Sequence, residues 1–203
     1  MKERLIIFVK NPALGRAKTR LAATVGDLCA LEVYKRLLER TRDISVQVKV
    51  ERVVYYDQFI DRSDVWSNAD FLKAIQTTGN LGVKMKAAFE EAFDAGAARV
   101  CIIGSDCYDL NPDLIARAFE ELKQHDVVIG PSYDGGYYLL GMNQPIFEIF
   151  ENKEWSTSSV CAATEADLNR LGYSVAKLQT LSDVDTEADL GEWAADILKV
   201  HRA

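Results

Sequence analysis

Arg99-Val100-Cys101-Ile102-Ile103-Gly104-Ser105-Asp106-Cys107-Tyr108-Asp109-Leu110 is the stretch whose reading decides the fold. Val100 to Gly104 is an unbroken apolar run with β-branched members and polar flanks, which predicts a strand buried on both faces. A serine and an aspartate follow its glycine at once. In an open parallel sheet the ligand crevice lies beyond the carboxyl ends of the strands. Asp106 therefore stands where a carboxylate can hold a metal ion on a phosphorylated substrate. The position suits a second role equally: an aspartate in a strand–helix turn often caps the next helix, here one beginning near Asn111.

Outward from this strand the chain alternates. Leu5 to Val9 predicts a buried strand, and residues 10–20 form a loop carrying Lys10, Arg16, Lys18 and Arg20. A long helix is expected from there to about Arg40, with Leu21, Val25, Leu28, Leu31, Tyr34, Leu37 and Leu38 at three- and four-residue spacings. Val46 to Tyr56 predicts a second strand and Phe71 to Ile75 a third, with a short helix or turn between them. Gln76 to Gly82 is a turn-rich loop, and a helix from Val83 ends at Gly96. Pro112 opens another helix. Val127–Pro131 and Tyr137–Gly141 are strands joined by the turn Ser132-Tyr133-Asp134-Gly135-Gly136. A short helix is expected over Pro145–Glu151, a longer one from Ser158 to Leu171 closed by Gly172, a strand over Tyr173–Leu178, and a final helix from Glu187 to Val200. Thr186 and Asp189 resemble a capping box at its start. The pattern predicts an α/β sandwich around a mostly parallel sheet, in one domain spanning 1–203.

Composition narrows the partners. The chain has 203 residues and a formal net charge of −7, which argues against nucleic acid, since neutralising a phosphate backbone needs a basic face. The two histidines, His125 and His201, make a zinc site or a Ser-His-Asp triad a poor reading. Cys29, Cys101, Cys107 and Cys161 show no metal-binding or redox spacing and suit a reduced compartment. Apolar runs are strand-sized, and Lys2, Glu3 and Arg4 lead straight into the first strand. A cytoplasmic protein without a membrane partner is expected.

The chemistry implied is cation plus carboxylate. Gly15-Arg16-Ala17-Lys18-Thr19 is superficially like a P-loop, but Ala17 stands where glycine is required and Pro12 where the earlier glycine belongs. What survives is a cluster of four cations after the first strand, ahead of a helix N-terminus, in an acidic protein: a phosphate-binding pattern. Asp106, Asp109, Asp134, Asp183 and Asp185 each follow a strand, and hard cations such as Mg²⁺ or Mn²⁺ take carboxylate oxygens together with substrate phosphates. Gly79, Gly82, Gly135 and Gly136 permit either turns or close approach to a ligand. Ser105 lacks the context of a nucleophile elbow.

Five motifs occur in order: Phe8-Val9-Lys10-Asn11-Pro12-x-x-Gly15-x-x-Lys18-Thr19-Arg20-Leu21, Gly104-Ser105-Asp106-Cys107, Gly130-Pro131-x-x-Asp134-Gly135-Gly136-Tyr137-Tyr138-Leu139-Leu140-Gly141, Trp155-Ser156-Thr157 and Asp183-Val184-Asp185-Thr186-x-x-Asp189-Leu190. Together they resemble the radical-SAM/selenodomain-associated transferase 1 family, also labelled glycosyltransferases of arsenosugar biosynthesis. That family is similar to the nucleotide-diphospho-sugar transferase (GT-A) superfamily. The resemblance implies a Rossmann-like three-layer α/β/α sandwich and Mg²⁺- or Mn²⁺-assisted transfer. It implies nucleotide binding by Lys10, Gly15, Arg16, Lys18, Arg20, Gln76, Gly82 and Ser105, with Lys18 on the phosphates and Gln76 and Gly82 beside the base. Asp106 and Asp185 would hold the metal. Asp134, Gly135, Gly136 and Trp155 would shape the acceptor or sugar side, and Lys18, Asp106 and Asp134 would be catalytic. Tyr108 stands where the family usually has proline.

The expected activity is transfer from a nucleotide sugar to a small-molecule acceptor. Two alternatives stand beside it: a nucleotidyltransferase moving a nucleoside monophosphate onto a phosphorylated small molecule, and a non-catalytic nucleotide-binding module. A monomer or homodimer fits either.

Overall fold

The computed structural model describes residues 1–202, except the side chain of Arg202; Ala203, the last residue of the expected domain, lies outside them. Seven strands form one sheet: β1 (Glu3–Val9), β2 (Glu51–Tyr56), β3 (Leu72–Ile75), β4 (Arg99–Ile103), β5 (Val127–Pro131), β6 (Tyr137–Met142) and β7 (Val175–Lys177). Their spatial order is β3-β2-β1-β4-β6-β5-β7. All neighbours are parallel except β6, which runs antiparallel to both β4 and β5. The Ser132–Gly136 turn explains that exception, because a short loop can join only antiparallel strands.

Helices cover both faces, and the two-residue period of the strands sorts the core between them. Leu5, Ile7 and Val9 point with Val54, Cys101 and Ile103 toward α1 (Thr19–Val25), α2 (Asp27–Ser45), α4 (Pro112–Glu121) and α6 (Ala195–Arg202). Ile6, Val53, Val100 and Ile102 point the other way, toward α3 (Leu81–Asp94) and α5 (Val160–Leu171). This is the expected three-layer α/β/α sandwich. Among the described residues, no helix is long and apolar enough to cross a membrane.

Several boundaries differ from the sequence expectation. The first long helix is two, because Gly26 adopts φ 83° and breaks it between α1 and α2. The second of these runs on to Ser45, and β2 begins only at Glu51, so the alternating valines at 46, 48 and 50 do not all mark a strand. Val48 is buried from a turn instead, its N–H bonded to the Ser45 carbonyl. The final helix is interrupted: 3₁₀ turns at Glu187–Asp189 and Glu192–Ala194 precede α6. Leu190 is extended between them, and the Asp189 carboxylate folds back onto the N–H groups of Asp185 and Thr186 as the expected capping box. The short helix expected after Pro145 is a single 3₁₀ turn, Glu148–Phe150.

The sheet order reverses beside β1: the chain adds β2 and β3 on one side and β4 on the other. Ile7 pairs with Ile103, so the loops leaving β1 and β4 emerge side by side. That is the topological switch point where open α/β sheets place their ligands.

Candidate functional site

Asp106 does not cap α4. Asn111 does, accepting from the Leu114 N–H at 3.0 Å, which leaves the Asp106 carboxylate free of that task. The Asp106 backbone has its own partner: its carbonyl accepts from the Val184 N–H at 2.9 Å. Upstream, the Leu181 N–H donates to the Pro131 carbonyl, and the Tyr133 N–H donates to the Leu181 carbonyl. These bonds lay residues 181–185 across the carboxyl ends of β5 and β4, which carries Asp185 from far along the chain to Asp106.

Lys18 joins the two. Its ammonium lies 3.0 Å from Asp106 Oδ1 and 3.4 Å from Asp185 Oδ1, while Arg20 Nη2 reaches Asp185 Oδ2 at 2.6 Å. The Lys18 side chain is only 5% exposed against 43% for Asp106 and 28% for Asp185, so the cation is the desolvated member and depends on both partners. Its backbone is left-handed, at φ 51° and ψ 52°, immediately before α1. A non-glycine residue there is strained, and such strain concentrates at functional sites. Arg16, Lys18, Arg20 and Lys10 line a pocket of about 190 Å³ together with Tyr34, Asp106 and Asp185.

That pocket adjoins a cleft of about 690 Å³ over the switch point. Of the residues expected at the site, Lys10, Arg20, Gln76, Ser105, Asp106, Asp134, Gly136, Trp155 and Asp185 line the cleft, and Arg16 and Lys18 line the smaller pocket. Gly15, Gly82 and Gly135 line neither. Gly82 lies beneath the Trp155 indole, where a Cβ would stand 2.3 Å from the ring. Gly135, at φ 89°, presses against the Ser158 carbonyl oxygen, where a Cβ would stand at 1.9 Å, and its own carbonyl accepts from the Cys161 N–H. Gly15 adopts φ 71° in the β1–α1 loop.

Several groups are already committed. Gln76 donates both amide hydrogens, to the carbonyls of Val9 at 3.1 Å and Tyr55 at 2.9 Å, leaving Oε1 as its unused polar atom. Asn11 spends its side chain on the backbone of residues 58 and 59, tying the basic loop to the chain after β2. Asp134 accepts from the Ser132 hydroxyl and the Gly136 N–H with one oxygen, which shapes the turn and leaves the other oxygen uncommitted. The buried Ser105 hydroxyl faces that of Tyr34 at 3.4 Å.

Two further cleft residues are Tyr34, which carried no site signal in the sequence, and Asp183, one of the strand-following carboxylates. Tyr34 grips the start of the basic loop, accepting from the Lys10 N–H and donating to the Lys10 carbonyl. Its burial, then the Asp106 charge, hold its hydroxyl protonated. Only its place in the apolar stripe of α2 was legible. Asp183 is pushed up to about 7, chiefly by burial and next by the Asp106 and Asp134 charges, with Lys18 opposing. Among the described residues no three His, Cys, Asp or Glu side chains are grouped to hold a metal. Asp106 and Asp185 nonetheless converge on one cation, and two hard oxygen donors fit Mg²⁺ or Mn²⁺ when substrate phosphates complete the shell.

Comparison with known proteins follows this geometry. A crystal structure of a candidate nucleotide-diphospho-sugar transferase from Desulfovibrio desulfuricans G20 is 27% identical with a TM-score of 0.87, covering 100% of this chain and 96% of that one. 4-Diphosphocytidyl-2C-methyl-D-erythritol synthase from Anaerococcus prevotii DSM 20548 is 12% identical with a TM-score of 0.60, covering 100% and 96%. The manganese complex of Rv0371c from Mycobacterium tuberculosis H37Rv is 11% identical with a TM-score of 0.55, covering 98% and 99%. These last two share the fold alone. No curated protein matches the sequence. The fold is thus that of the nucleotide-diphospho-sugar transferases, and the family model described as "Uncharacterized protein conserved in bacteria (DUF2064)" matches residues 41–157, so the chain belongs to that family.

Proposed function

We propose that this protein is a transferase of the radical-SAM/selenodomain-associated type, a single GT-A domain that moves a sugar from a nucleotide sugar to a small hydroxyl-bearing acceptor. The observation that carries the reading is the Lys18 ammonium held between Asp106 and Asp185, in a small cationic pocket that opens into the larger cleft. Lys10, Arg16, Lys18 and Arg20 match a diphosphate. Lys18 and Arg20 would neutralise the charge that grows on a departing nucleoside diphosphate, a positional and electrostatic contribution. Mg²⁺ or Mn²⁺ held by Asp106 and Asp185 would add charge neutralisation on the same phosphates.

The chemistry of part of the cleft lining favours sugar transfer over nucleotidyl transfer. Ser132, Asp134, Trp155, Ser156, Thr157 and Ser158 make up that part, with hydroxyls, one carboxylate, one indole and no positive charge. Lys84, on the first turn of α3, is the remaining lysine in the cleft lining besides Lys10. A phosphorylated acceptor would call for a second cationic group facing Asp134. A polyol instead pairs with hydroxyls and lays its apolar face on an aromatic ring. The uncommitted Asp134 oxygen would accept the acceptor hydroxyl proton, and Gln76 Oε1 would offer the base an acceptor. The reading includes a cytoplasmic location, which four buried cysteines support.

The test is incubation with nucleotide sugars and with nucleoside triphosphates, each with Mg²⁺ or Mn²⁺ and a panel of polyol and phosphorylated acceptors. Metal-dependent release of nucleoside diphosphate from a nucleotide sugar is expected. Pyrophosphate release from a triphosphate would move the assignment to nucleotidyl transfer. Metal-independent thermal stabilisation by nucleotides that survives Asp106→Ala and Asp185→Ala would leave only a binding module.

A further inference from the structure

Asp106 and Asp185 sit on two loops joined at the site by Lys18 and by the Val184 N–H bond to the Asp106 carbonyl. A second tie, farther from the carboxylates, comes from α2. Arg36 and Arg40 are one helical turn apart, so they project from the same face. Arg40 donates to the carbonyls of Tyr108 at 3.4 Å and Leu110 at 3.3 Å, in the loop after β4. Arg36 donates to the Trp193 carbonyl at 3.1 Å and pairs with Asp196 at 2.9 Å, in the C-terminal segment. Arg40 thus grips the loop after β4, and Arg36 the 3₁₀ turn and the start of α6 that follow the Asp185 loop. Between them the Tyr108 and Trp193 rings stack with centroids 4.1 Å apart and planes 8° from parallel, and the Arg40 guanidinium lies 5.5 Å from the centroid of the Tyr108 ring.

We infer that Tyr108 is a positioning residue: contacted by Arg40 and stacked on Trp193, it helps fix the separation of Asp106 and Asp185. A proline at this position would stiffen the loop internally by fixing φ. Tyrosine stiffens it from outside, by tying it to the segment that carries the second carboxylate. The Val184 N–H bond to the Asp106 carbonyl joins the backbones of the two loops next to the carboxylates and reports on that tie. A pair of metal ligands tolerates displacements of only about half an ångström, so loops joined only by Lys18 and this backbone bond would hold the ion less well. The metal part of the inference rests on the proposed function; the loop coupling does not.

The experiment compares Tyr108→Ala and Tyr108→Phe with Leu168→Val, a control buried on the opposite face of the sheet. Amide exchange at Val184 is read against exchange at the β1 amides, and Mn²⁺ affinity is read by the electron-spin-resonance signal of the free ion. In Tyr108→Ala, Val184 exchange rises about tenfold relative to β1 and Mn²⁺ affinity falls about tenfold, each a change of about 1.4 kcal/mol. Tyr108→Phe keeps the stack and behaves like the parent, and Leu168→Val leaves the Val184-to-β1 ratio unchanged. The inference is overturned if Val184 in Tyr108→Ala exchanges as in the parent, or only in step with β1. A parent that binds no Mn²⁺ would remove the metal reading, and the exchange ratio would still decide the coupling.

Discussion

Lys18 and Asp106 form a 3.0 Å ion pair whose two members differ sharply in exposure: the ammonium is 5% exposed and the carboxylate 43%. The lysine is built into the site, and the aspartate keeps an edge open to the cleft. Two carboxylates therefore lean on one buried cation that the chain strains its backbone to place.

Removing that cation tests the arrangement. Lys18→Met keeps the length of the side chain and leaves Asp106 without its cation, with Asp185 held by Arg20 alone. Nucleoside diphosphate release from a nucleotide sugar should fall by about 10²–10³ in kcat, the usual cost of losing one preorganised group at developing charge. Lys18→Arg should recover only part of this, because the planar guanidinium does not reproduce a point charge between two carboxylates. Steady-state kinetics with all three proteins gives the comparison. Equal rates in Lys18→Met and the parent would remove Lys18 from the chemistry.

Asp183 contributes to the pH dependence of the metal-free protein. Its folded value, pushed up to about 7, lies above the ordinary aspartate value near 4. Between these limits the folded state holds a proton that the unfolded chain has released, so stability falls as pH rises from about 4 through 7 and levels off above. The loss approaches roughly 4 kcal/mol if the whole shift is expressed, and less with solvent relaxation. Asp183→Asn should flatten that part of the profile and be the more stable protein at pH 8. Urea unfolding from pH 4 to pH 8 measures both, and parallel profiles for the two proteins would contradict the assignment.

The sequence disclosed the order of elements, and the reasons are particular. Val100–Ile103 and Leu5–Val9 are apolar on both faces, a pattern few structures other than a central parallel strand satisfy. Asp106, Asp185 and the basic loop were legible because each follows a strand at its carboxyl end. What stayed hidden depended on contacts distant in the chain. The 46–50 valines look like a strand locally, but Val48 is buried from a turn. Gly82 and Gly135 look like ligand-facing glycines, yet they make room for Trp155 and for the Ser158 carbonyl. Tyr108 looked like a departure from a rigid loop, but its stacking partner lies 85 positions later, at Trp193.

Gly135 should be among the least replaceable residues of the β5–β6 turn. Alanine there meets two penalties: φ 89° is left-handed, and its Cβ would lie 1.9 Å from a backbone oxygen that cannot rotate away. Left-handed strain alone costs about 1–2 kcal/mol, and displacing the start of α5 adds to it. Gly135→Ala should lower stability by about 3 kcal/mol or more, beyond the common range for point substitutions. Gly136→Ala, whose nearest contacts are the side chains of Asp134 and Ser132 at 3.2 and 3.3 Å, should cost less. Chemical denaturation of the pair ranks them, and the reverse order would overturn the packing argument.

Gly82 offers a test in which the sign alone decides. It lies in the first turn of α3, where alanine is intrinsically favoured over glycine by up to about 1 kcal/mol. Its Cβ would fall 2.3 Å from the Trp155 indole, however, so the ring must leave its seat against the helix. Trp155 also packs with Phe150 at 6.1 Å between ring centroids, and displacement breaks that contact too. Gly82→Ala should therefore be less stable than the parent, with the Trp155 emission shifted to the red as the indole meets water. A Trp155→Phe background, where the smaller ring leaves room, should shrink the penalty or reverse it. If Gly82→Ala is more stable than the parent and its emission is unchanged, the indole does not depend on the missing side chain, and the glycine serves some other purpose.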